Sequence, residues 1–598
     1  MFLNQMHVPS LLEIEKIKKN FLGYKTKNIS ILRNITIEGI EPYLSYVLGS
    51  EGHLANVRFG GYDSILQDAT NSSEILFEET DFVIIFSFLQ TLSPLLSDNY
   101  ASLSKTEIEG EIQRIGIFIQ QVLRSIREKT SAQILWYGFE SPVFPAFGIA
   151  DSCLNGQSTA VENLNQNLRE FLSTVPSAFY INANLHLSRL GVNQYYDLRY
   201  WHIAKSPYSK AALIEIAYEC MKYIRSSSGN QSKCLALDCD NTLWGGILGE
   251  DGINGIKIGN DPSGSPFRDF QLEILSLHKR GVILTICSKN NEQDVLDLLD
   301  NHPDMLLKTH HFAAWKINWS PKSENLKALA ADLNIGVDSF VFVDDSHFEV
   351  DLVKSLLPNI KTIHLPIDKP SCYRWLLASS GFFDKTQLTD EDSKRTELYQ
   401  AEQKRQKLLK ADNNLDNYYR TLELELEIIG LDNYNISRIA QQTQKTNQFN
   451  LTTRRYTEAD LDKIMQTGKA DIYCLRVKDK FGDMGIIGSV VLKHKAHESI
   501  IDALLLSCRA LGREIENYFL QEILHILSDK NFCSVYGQYI KSPKNSQAKH
   551  FFALNHFDNC PSLSSEGEWY KINLSKLRPR SLGHFQKITS PLGSLMLG

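Results

Sequence analysis

The sequence lacks the marks of several large protein classes. It has no C-x-x-C pair, and its ten cysteines are scattered without regular spacing over 598 residues. Such usage is typical of reduced thiols in a cytoplasm and favours neither a disulfide framework nor a zinc site. No apolar run reaches the length that spans a bilayer, and the first twenty residues show no secretory signal. We therefore expect a cytoplasmic protein without a membrane segment.

The sequence also has no excess of basic over acidic residues. The formal net charge is −7, so the composition offers nothing to neutralise nucleic-acid phosphates, and we expect no nucleic-acid partner. The content of 43% hydrophobic and 22% charged residues is ordinary for a globular protein. At this length one core is not enough, and three or four domains are expected.

Residues 28–225 are the first part of the chain whose sequence pattern predicts a fold. Short apolar runs alternate there with helical patterns, which predicts an α/β layer fold. The predicted strands are NISILRN, DFVIIFSFL, AQILWYGF and SAFYINA, and an amphipathic helix is predicted to end at Lys129. Residues 1–27 precede this part as an extension. The segment RSSSGNQS, residues 225–232, predicts a flexible boundary after it.

Two further folded parts follow. Residues 233–368 form the second part, and a charged stretch over 390–420 predicts a linking helix on the surface. The third part, residues 421–575, has a hairpin pattern, IYCLRVKDKFGDMGIIGSVVLKH, and a core strand, IDALLLSCRALG, that leads into a helix. The tail, residues 576–598, is rich in Ser, Pro, Gly and Arg and is expected to be loose.

The second part opens with KCLALDCDNTLWGG, residues 233–246. A short strand, Cys234–Leu237, is predicted before two aspartates. Since side chains on a strand alternate faces, Asp238 and Asp240 are expected to point the same way. Two carboxylates at such a short distance repel each other unless a proton or a cation lies between them. Because the ligands are all oxygen atoms, Mg²⁺ is the cation that we expect.

Three later features follow the same pattern. A second apolar run ends in Ser288, and a third ends in Asp344 and Asp345. Between them, NWSPKSENLKALAADLNIG predicts a helix with Lys322 in its first turn, a position where a lysine is favourable only if an anion is held there. Each feature lies at the carboxyl end of a predicted strand or at the start of a helix. That is the edge where open parallel sheets bind ligands.

Together these residues predict a phosphate site. Asp238 would attack phosphorus and Asp240 would carry the proton, while Mg²⁺ and Lys322 offset the charge. A lone D-x-D-x-T occurs by chance, and a DD pair after a strand is often a turn. The presence of all the features in this order favours a phosphate site over coincidence.

These motifs carry a family resemblance. DCDNTLWGG, Ser288, Lys322 and FVDD match the four motifs of the haloacid dehalogenase superfamily of phosphotransferases. LWGGILGEDG, INWSPKSENL, TQKTNQFNLTTRRY and SCRALGREIE are more specific, and with them residues 28–575 resemble the FkbH-like proteins of polyketide pathways. Such proteins are glyceryl transferase/phosphatases. They dephosphorylate D-1,3-bisphosphoglycerate and load the glyceryl unit as a thioester on an acyl carrier protein, so the resemblance implies an enzyme with Mg²⁺ as cofactor and those two partners.

The resemblance also implies roles for the site residues. Asp238 is the implied phosphoryl nucleophile and Asp240 the implied general acid/base. The implied phosphate ligands are Thr242, Ser288 and Lys322, and the implied metal ligands are Asp238, Asp240, Asp344 and Asp345. The family often continues after DD with Asn-Pro, whereas this chain reads DDSHFEV, so the role of that loop is open.

Loading a glyceryl thioester needs a thiol. Cys239 lies between the two aspartates and is one candidate. Strand alternation turns it away from their face, however, and a free cysteine is most often a small buried hydrophobe. Cys508 and the carrier's own thiol are the alternatives.

The third part resembles the GNAT acetyltransferase fold. In that fold a core strand is followed by a loop and a helix whose N–H groups bind a pyrophosphate. On that basis Arg509, Gly512 and Arg513 are expected to receive the carrier's phosphopantetheine arm. An ordinary scaffold is the alternative.

The first part resembles an SGNH-hydrolase-like domain, but a hydrolase triad is not assembled in the sequence. Asn34 follows the first strand where a serine is needed, and Asn182 precedes His186 in place of an aspartate. The implied architecture is therefore α/β with three domains. These are an SGNH-hydrolase-like domain that is expected to be non-catalytic, a Rossmann-like haloacid dehalogenase core and a C-terminal GNAT-like α+β domain.

Two other functions stay open. A plain small-molecule phosphatase would need no third domain. A non-catalytic assembly protein of a synthase complex would have no reason to hold paired carboxylates beside a lysine.

Overall fold

The computed structural model divides the chain into two compact units, residues 1–225 with 457–462 and residues 226–456 with 463–598. The residues that it describes are 9–10, 13, 25–71, 74–76, 79–152, 156–388, 395–411, 415–432, 435–446, 448–467, 470–507, 510–542, 545–563 and 566–596. The predicted extension, 1–27, lies mostly outside these ranges, and from Lys25 onward it belongs to the first strand.

The first unit is built on a five-stranded parallel sheet in the order β2-β1-β3-β4-β5. The strands are β1 (Lys25–Arg33), β2 (His53–Phe59), β3 (Phe82–Phe86), β4 (Gln133–Tyr137) and β5 (Ala178–Ile181). The helices are α1 (Glu41–Ser50), α2 (Ile65–Asn71), α3 (Leu89–Leu92), α4 (Pro94–Ser97), α5 (Lys105–Lys129), α6 (Gln157–Ser173), α7 (Ala183–Leu190), α8 (Val192–Tyr195), α9 (Leu198–Ala204) and α10 (Lys210–Ser228). The predicted α/β layer is confirmed.

Local sequence explains most of this unit. Strands β3 and β4 are buried at every residue, because a parallel sheet covered on both faces needs apolar side chains on both sides. Helix α5 ends at Lys129 as predicted and begins at Lys105, where Ser104 and Glu107 form a capping box. The edge strand β2 was not predicted, because its burial is partial and broken by polar residues.

The second unit contains another five-stranded parallel sheet, in the order β10-β9-β6-β7-β8. Its strands are β6 (Cys234–Leu237), β7 (Ile283–Ser288), β8 (Phe312–Ile317), β9 (Phe340–Asp344) and β10 (Lys361–His364). Its helices are α11 (Leu248–Asp251), α12 (Ser265–Lys279), α13 (Glu292–Asn301), α14 (Lys322–Asp332), α15 (His347–Leu356) and α16 (Tyr373–Ser379). The predicted strands ending before Asp238, in Ser288 and in Asp344 are confirmed.

The predicted boundary at residues 225–232 coincides with the division between the two units, which falls after Arg225, but the segment is not the flexible linker that its composition predicted. Helix α10 runs on to Ser228, and Gln231 beyond it is buried. The Gln231 side-chain amide donates to the Ser226 hydroxyl and to the Asp384 carbonyl, both at 2.6 Å. The two hydrogen bonds of the Gln231 amide nitrogen, which the composition could not reveal, hold this segment in place.

The linking region also differs from the prediction. It forms two helices, α17 (Arg395–Ala411) and α18 (Leu415–Thr421), and α17 is not a surface helix. Tyr399 of α17 packs into the core beneath the five-stranded sheet, and the side chain of Arg405 is only 2% exposed. The high charge of this stretch serves buried ion pairs as well as a solvated face.

The last part of the chain forms a ten-stranded mixed sheet. Its strands are β11 (Glu425–Gly430), β12 (Phe449–Asn450), β13 (Ala470–Asp479), β14 (Gly482–Lys495), β15 (Glu498–Leu506), β16 (Ser534–Tyr539), β17 (Asp558–Asn559), β18 (Glu568–Asn573), β19 (Lys587–Ser590) and β20 (Gly593–Met596). Its helices are α19 (Ile436–Lys445), α20 (Glu458–Thr467), α21 (Ile515–Asp529) and α22 (Phe551–Leu554). The predicted hairpin is β13–β14.

The tail is not loose as predicted. Strand β19 pairs in parallel with β11 and turns back into β20, so the tail adds two strands to the edge of the sheet. Phe585 and Ile588 are completely buried in its core. Among the described helices, none is both long enough and apolar enough to cross a bilayer.

Candidate active site

Three carboxylates gather at the carboxyl edge of the second parallel sheet. Strands β6 and β9 are neighbours, and the N–H of Asp238 donates to the carbonyl of Val343 at 3.0 Å, so the two strand ends stay paired. Asp238, Asp344 and Asp345 each offer an oxygen atom, and these atoms lie within 4.8 Å of one another. Adjacent parallel strands that end in acidic residues place them together in this way.

Lys322 joins two of the carboxylates. It is the first residue of α14, and its Nζ lies 2.8 Å from Asp238 Oδ1 and 2.6 Å from Asp344 Oδ2. Burial lowers the pKa of Lys322, but the charges of the two aspartates outweigh burial and raise it above its usual value. The ammonium is therefore a fixed positive charge in the site.

The carboxylates carry more negative charge than Lys322 offsets. Burial and the nearby charge of Asp238 raise the pKa of Asp344, although Lys322 acts in the opposite direction. The same two causes raise the pKa of Asp345 to about 6. A cluster of oxygen ligands with surplus negative charge fits a hard divalent cation such as Mg²⁺.

Asp240 has a different environment. Its Oδ1 accepts hydrogen bonds from the indole N–H of Trp244 at 3.0 Å and from the Leu248 N–H at 2.9 Å, and its Oδ2 accepts one from the Asn290 amide at 2.9 Å. Burial raises its pKa. The group of three carboxylates within 4.8 Å of one another does not include Asp240, and the place of Asp240 among the metal ligands stays a prediction.

The LWGG sequence closes the loop that follows Asp240. Asn241 has a positive φ of 51°, and its side chain accepts the Gly246 N–H at 2.9 Å. Gly246 itself has a φ of 98°, and a Cβ there would lie 2.5 Å from Asp251. The hydroxyl of Tyr373 donates to the Asn241 carbonyl at 3.1 Å. Few other sequences would fit this turn.

Two hydroxyl groups border the carboxylates. Ser288 is buried at the end of β7, next to β6. The Thr242 hydroxyl is buried without a hydrogen-bond partner among the described residues. A buried hydroxyl without a partner is costly, so it suits a ligand that completes its hydrogen bonding.

Cys239 lies in the apolar core. It is completely buried among the hydrophobic side chains that pack against the sheet. Burial and the charge of Asp238 raise the pKa of its thiol well above the usual value, although a hydrogen bond with Ser288 lowers it. The environment disfavours a thiolate nucleophile.

The sequence did not identify several supporting residues. Asn290 and Trp244 hold Asp240, and the SKNN sequence after β7 was the available signal for Asn290. Glu349 is buried beside the site and pairs with Lys289 at 2.6 Å. In the sequence, the position of Glu349 four residues after Asp345 could have indicated that it lies near the site.

The DDSHFEV loop has a structural role without Asn-Pro. The N–H of Ser346 donates to Asp344 Oδ1 at 2.8 Å. The Ser346 hydroxyl also accepts the N–H of Glu349, which caps helix α15. One serine thus orients the carboxylate and begins the helix.

Two of the three expected carrier-arm residues, Gly512 and Arg513, are among the described residues. Arg513 is buried, and its Nη2 donates to both oxygens of Glu402 at 2.6 and 2.7 Å. The carbonyl of Gly512 accepts the Tyr419 hydroxyl at 3.1 Å, and the first turn of α21 carries Glu516. These contacts correct the prediction for Arg513, since its charge is already paired. Arg509 and Cys508 lie outside the described residues.

The first unit has no assembled serine-hydrolase triad among its described residues. Asn34 Oδ1 accepts the Phe88 N–H at 2.7 Å, and Asn182 caps helix α7. His186 is buried, with its Nδ1 2.9 Å from the Tyr137 hydroxyl. These polar side chains serve the fold.

A solved structure shares the fold of much of this chain. The N-terminal part of protein BF1531 from Bacteroides fragilis, which contains a phosphatase domain and was solved in complex with Mg, is similar with a TM-score of 0.57. The two chains are 23% identical over 64% of this chain and 100% of that one. At this identity the likeness shows a shared fold.

Matches to acetyltransferases are weaker. A GNAT-family acetyltransferase from Staphylococcus aureus has 16% identity and a TM-score of 0.21 over 25% of this chain and 99% of its own. Spermidine N-acetyltransferase from Vibrio cholerae has 14% identity and a TM-score of 0.21 over 26% and 98%. No protein-family model matches the chain, and no curated protein matches it.

Proposed function

We propose that this protein is a Mg²⁺-dependent phosphatase of the haloacid dehalogenase type. The observation that carries the proposal is the cluster of Asp238, Asp344 and Asp345 within 4.8 Å, with Lys322 bound to two of them. Mg²⁺ held by these three carboxylates would offset the charge of a phosphoryl group. The Mg-bound Bacteroides fragilis phosphatase domain supports the choice of metal.

The chain's own residues account for the phosphoryl steps. Asp238 attacks phosphorus, and the bond between phosphorus and the substrate oxygen breaks. Asp240, with its pKa raised by burial, gives that oxygen a proton and then takes one from the water that releases phosphate. Lys322, Ser288 and Thr242 hold the phosphate oxygens.

Replacing the nucleophile tests this proposal. Asp238→Asn is expected to reduce Mg²⁺-dependent phosphate release by about a thousandfold or more, because a carboxamide cannot form the phosphoryl intermediate. Asp351→Asn, an exposed aspartate on α15, is the matched control and should keep full activity. Equal phosphate release from wild type and Asp238→Asn would exclude this mechanism.

For the substrate, we propose D-1,3-bisphosphoglycerate and an acyl carrier protein. Asp238 would hydrolyse the 3-phosphate, and a thiol would attack the C1 carbonyl, lose its proton and expel the second phosphate. We propose that this thiol is the carrier's own, because Cys239 is buried with its pKa raised. The LWGG and NWSPK motifs of the FkbH-like proteins support this substrate.

A mass measurement separates this activity from plain hydrolysis. Enzyme, Mg²⁺, bisphosphoglycerate and a holo carrier protein are incubated, and the carrier is weighed. A glyceryl mass gain is expected. Phosphate release with no mass gain would leave a small-molecule phosphatase as the function.

We also propose roles for the flanking parts. The first unit is an SGNH-hydrolase-like scaffold, which its parallel sheet and its paired Asn34 and His186 support. The ten-stranded part is a GNAT-like domain, which the run from β15 into α21 supports. The paired charge of Arg513 favours a scaffold role over arm binding there.

A further inference from the structure

A chain of buried polar side chains crosses the first unit from one carboxylate to another. The Tyr195 hydroxyl lies 3.0 Å from Glu140 Oε1 and 2.8 Å from the Tyr137 hydroxyl. The Tyr137 hydroxyl lies 2.9 Å from His186 Nδ1, and His186 Nε2 lies 3.6 Å from Glu219 Oε2. We call Glu140, Tyr195, Tyr137 and His186 the relay. None of these four residues is more than 9% exposed, so they complete their hydrogen bonds mainly with one another.

The members of the relay come from separate elements at the carboxyl edge of the first parallel sheet. Tyr137 is the last residue of β4, and Glu140 lies in the loop that follows. His186 is on α7, and Tyr195 is the last residue of α8. Glu219, on α10, faces the relay at its histidine end. The hydrogen bonds of the relay therefore hold α7 and α8 against the sheet.

The carboxylate of Glu219 is ionised. Its Oε2 lies 2.9 Å from Lys222 Nζ and 3.5 Å from Arg189 Nη1. Burial raises the pKa of Glu219, but the hydrogen bond with His186 and the charge of Lys222 outweigh burial and lower it below its usual value. Because an ionised carboxylate only accepts hydrogen bonds, His186 Nε2 carries a hydrogen that points to Glu219.

The three contacts within the relay need three hydrogens, one for each contact. The hydroxyls of Tyr137 and Tyr195 supply two of them, because each hydroxyl has a single hydrogen. The third hydrogen comes from one of the two ends of the relay. If His186 Nδ1 carries it, all three hydrogens point toward an ionised Glu140 and the imidazole is positively charged. If the Glu140 carboxyl carries it, all three point toward His186 and both ends are neutral.

These two arrangements differ by the transfer of one proton along the relay. Each of the three hydrogens passes from its donor to its acceptor, so three N–H or O–H bonds break and three form. The number of protons and the total charge of the relay do not change. With no third hydrogen, one contact would join two lone pairs, and with a fourth, one hydrogen would have no acceptor within the relay. The geometry therefore fits one shared proton.

The surroundings of the relay favour retention of this proton. Burial raises the pKa of Glu140, although the Tyr208 hydroxyl, 2.7 Å from its Oε1, acts in the opposite direction. Burial and the charge of Glu140 also raise the pKa values of Tyr137 and Tyr195, so both hydroxyls keep their hydrogens. The titratable groups that face the relay from the elements around it are Tyr180 on β5, Arg189 on α7, Tyr196 after α8, Tyr208 before α10, and Glu215, Glu219, Cys220 and Lys222 on α10.

We propose that Glu140 and His186 share one proton through Tyr195 and Tyr137, and that this proton holds α7 and α8 against the first sheet in a pH-dependent way. When these helices open, the two ends titrate separately, and an exposed histidine loses its proton near about pH 6.5. Below that pH the opened and closed states carry the same number of protons. Above it, closing takes up one proton from solvent, so the attachment of α7 and α8 weakens as the pH rises.

Hydrogen exchange of the full chain, followed by mass spectrometry, measures the opening of α7 and α8. After correction for intrinsic exchange, the opening constant of peptides covering residues 183–195 is expected to rise about tenfold per pH unit between about pH 7 and 8, since closing takes up one proton. Peptides from α5 of the same unit, residues 105–129, are the internal control and should show no such rise. Equal pH dependence of the two sets of peptides in wild type would overturn the proposal.

Two variants assign the proton to the relay. Glu140→Gln keeps the size of the side chain but does not titrate, so the pH dependence of peptides 183–195 should fall to that of α5. Glu128→Gln, an exposed glutamate on α5, is the matched control and should keep the wild-type pH dependence. Tyr195→Phe interrupts the relay and should raise the opening constant about tenfold at pH 6.5, with the same loss of pH dependence.

The variants give two outcomes. Loss of the pH dependence in Glu140→Gln and in Tyr195→Phe, with the control unchanged, supports the shared proton. An unchanged pH dependence in either variant would mean that the proton is held elsewhere, and the proposal would be wrong. If Glu140→Gln does not fold, Tyr195→Phe and the wild-type comparison of the two sets of peptides decide between the same outcomes.

Discussion

Two aspartates two residues apart have different partners in this site. Asp238 faces Lys322 and two further carboxylates, whereas Asp240 is held by three neutral donors. Burial raises the pKa of Asp240 above its usual value. The different partners at the end of one strand therefore suit Asp238 to the proposed role of nucleophile and Asp240 to the proposed role of proton carrier.

Removing the Asn290 amide tests how Asp240 is positioned. Asn290→Ala is expected to lower kcat for phosphate release about tenfold with little change in KM, since a hydrogen bond to a charged group contributes about 1.5–3 kcal/mol. The acidic limb of the pH–rate profile should also move. Gln293→Ala, an exposed amide on α13, is the control and should leave kcat and the profile unchanged. An unaltered pH–rate profile in Asn290→Ala would mean that this amide stabilises the fold and does not position Asp240.

Sequence periodicity predicted much of the site but not its supports. The strands that carry Asp238, Ser288 and Asp344 were predictable because each is an apolar run that ends in polar residues. The contact of Asn290 with Asp240 joins residues fifty positions apart, and no local pattern encodes such a contact. The burial of Cys239 was predictable from strand alternation.

At the scale of elements, the terminal hairpin shows where composition misleads. Ser, Pro, Gly and Arg suggested a loose tail, but two buried residues, Phe585 and Ile588, anchor β19 and β20 to the sheet. Arg580 adds a paired contact, with its guanidinium donating to Glu522 at 2.8 and 2.9 Å. A few anchoring side chains outweigh a turn-rich composition.

Ile588→Ala tests this anchoring. The substitution leaves a cavity in the core of the ten-stranded sheet and is expected to cost about 3 kcal/mol of unfolding free energy. Urea unfolding of the full chain measures the change. Met596→Ala, in the same hairpin but 64% exposed, should cost about 0.5 kcal/mol or less. Equal midpoints for the two variants would mean that the hairpin does not contribute to the core.

At the scale of the whole molecule, thiol exposure is strongly uneven. Of the eight cysteines in the described part of the chain, Cys533 is exposed and Cys560 is intermediate, while the other six, including Cys239, are buried. Burial raises the pKa of Cys234 and Cys287 as well as that of Cys239, which slows their alkylation further.

Native alkylation with iodoacetamide, followed by peptide mapping, should reflect this difference. Cys533 is expected to react at least tenfold faster than Cys239, and Cys239 should react only after denaturation. A urea-treated sample provides the control for reagent access. Rapid native labelling of Cys239 would show a reachable thiol and would revive it as a carrier of the glyceryl unit.

The sequence predicted the two parallel sheets more completely than the rest of the chain. Buried parallel strands are continuous apolar runs, which are easy to recognise. The edge strand β2, the tail hairpin and the buried part of α17 depend on contacts with distant residues, so composition alone misjudged them. Charged residues were the least reliable guide to solvent exposure. Arg405 is buried in an ion pair with Asp479, and Arg513 is buried in an ion pair with Glu402.

Helix α17 has a consequence for how this gene can be recombined. Its first half contacts the five-stranded sheet of the second unit through Tyr399 and through Gln400, whose amide donates to the carbonyls of His310 and Phe312. Its second half carries Arg405, paired with Asp479 of the other sheet at 2.6 and 2.8 Å. A chimera joined between Arg405 and Asp479 would take a buried guanidinium and its carboxylate from different parents. Exchange between homologous genes is therefore compatible with folding only where both faces of the helix are inherited together with their partners.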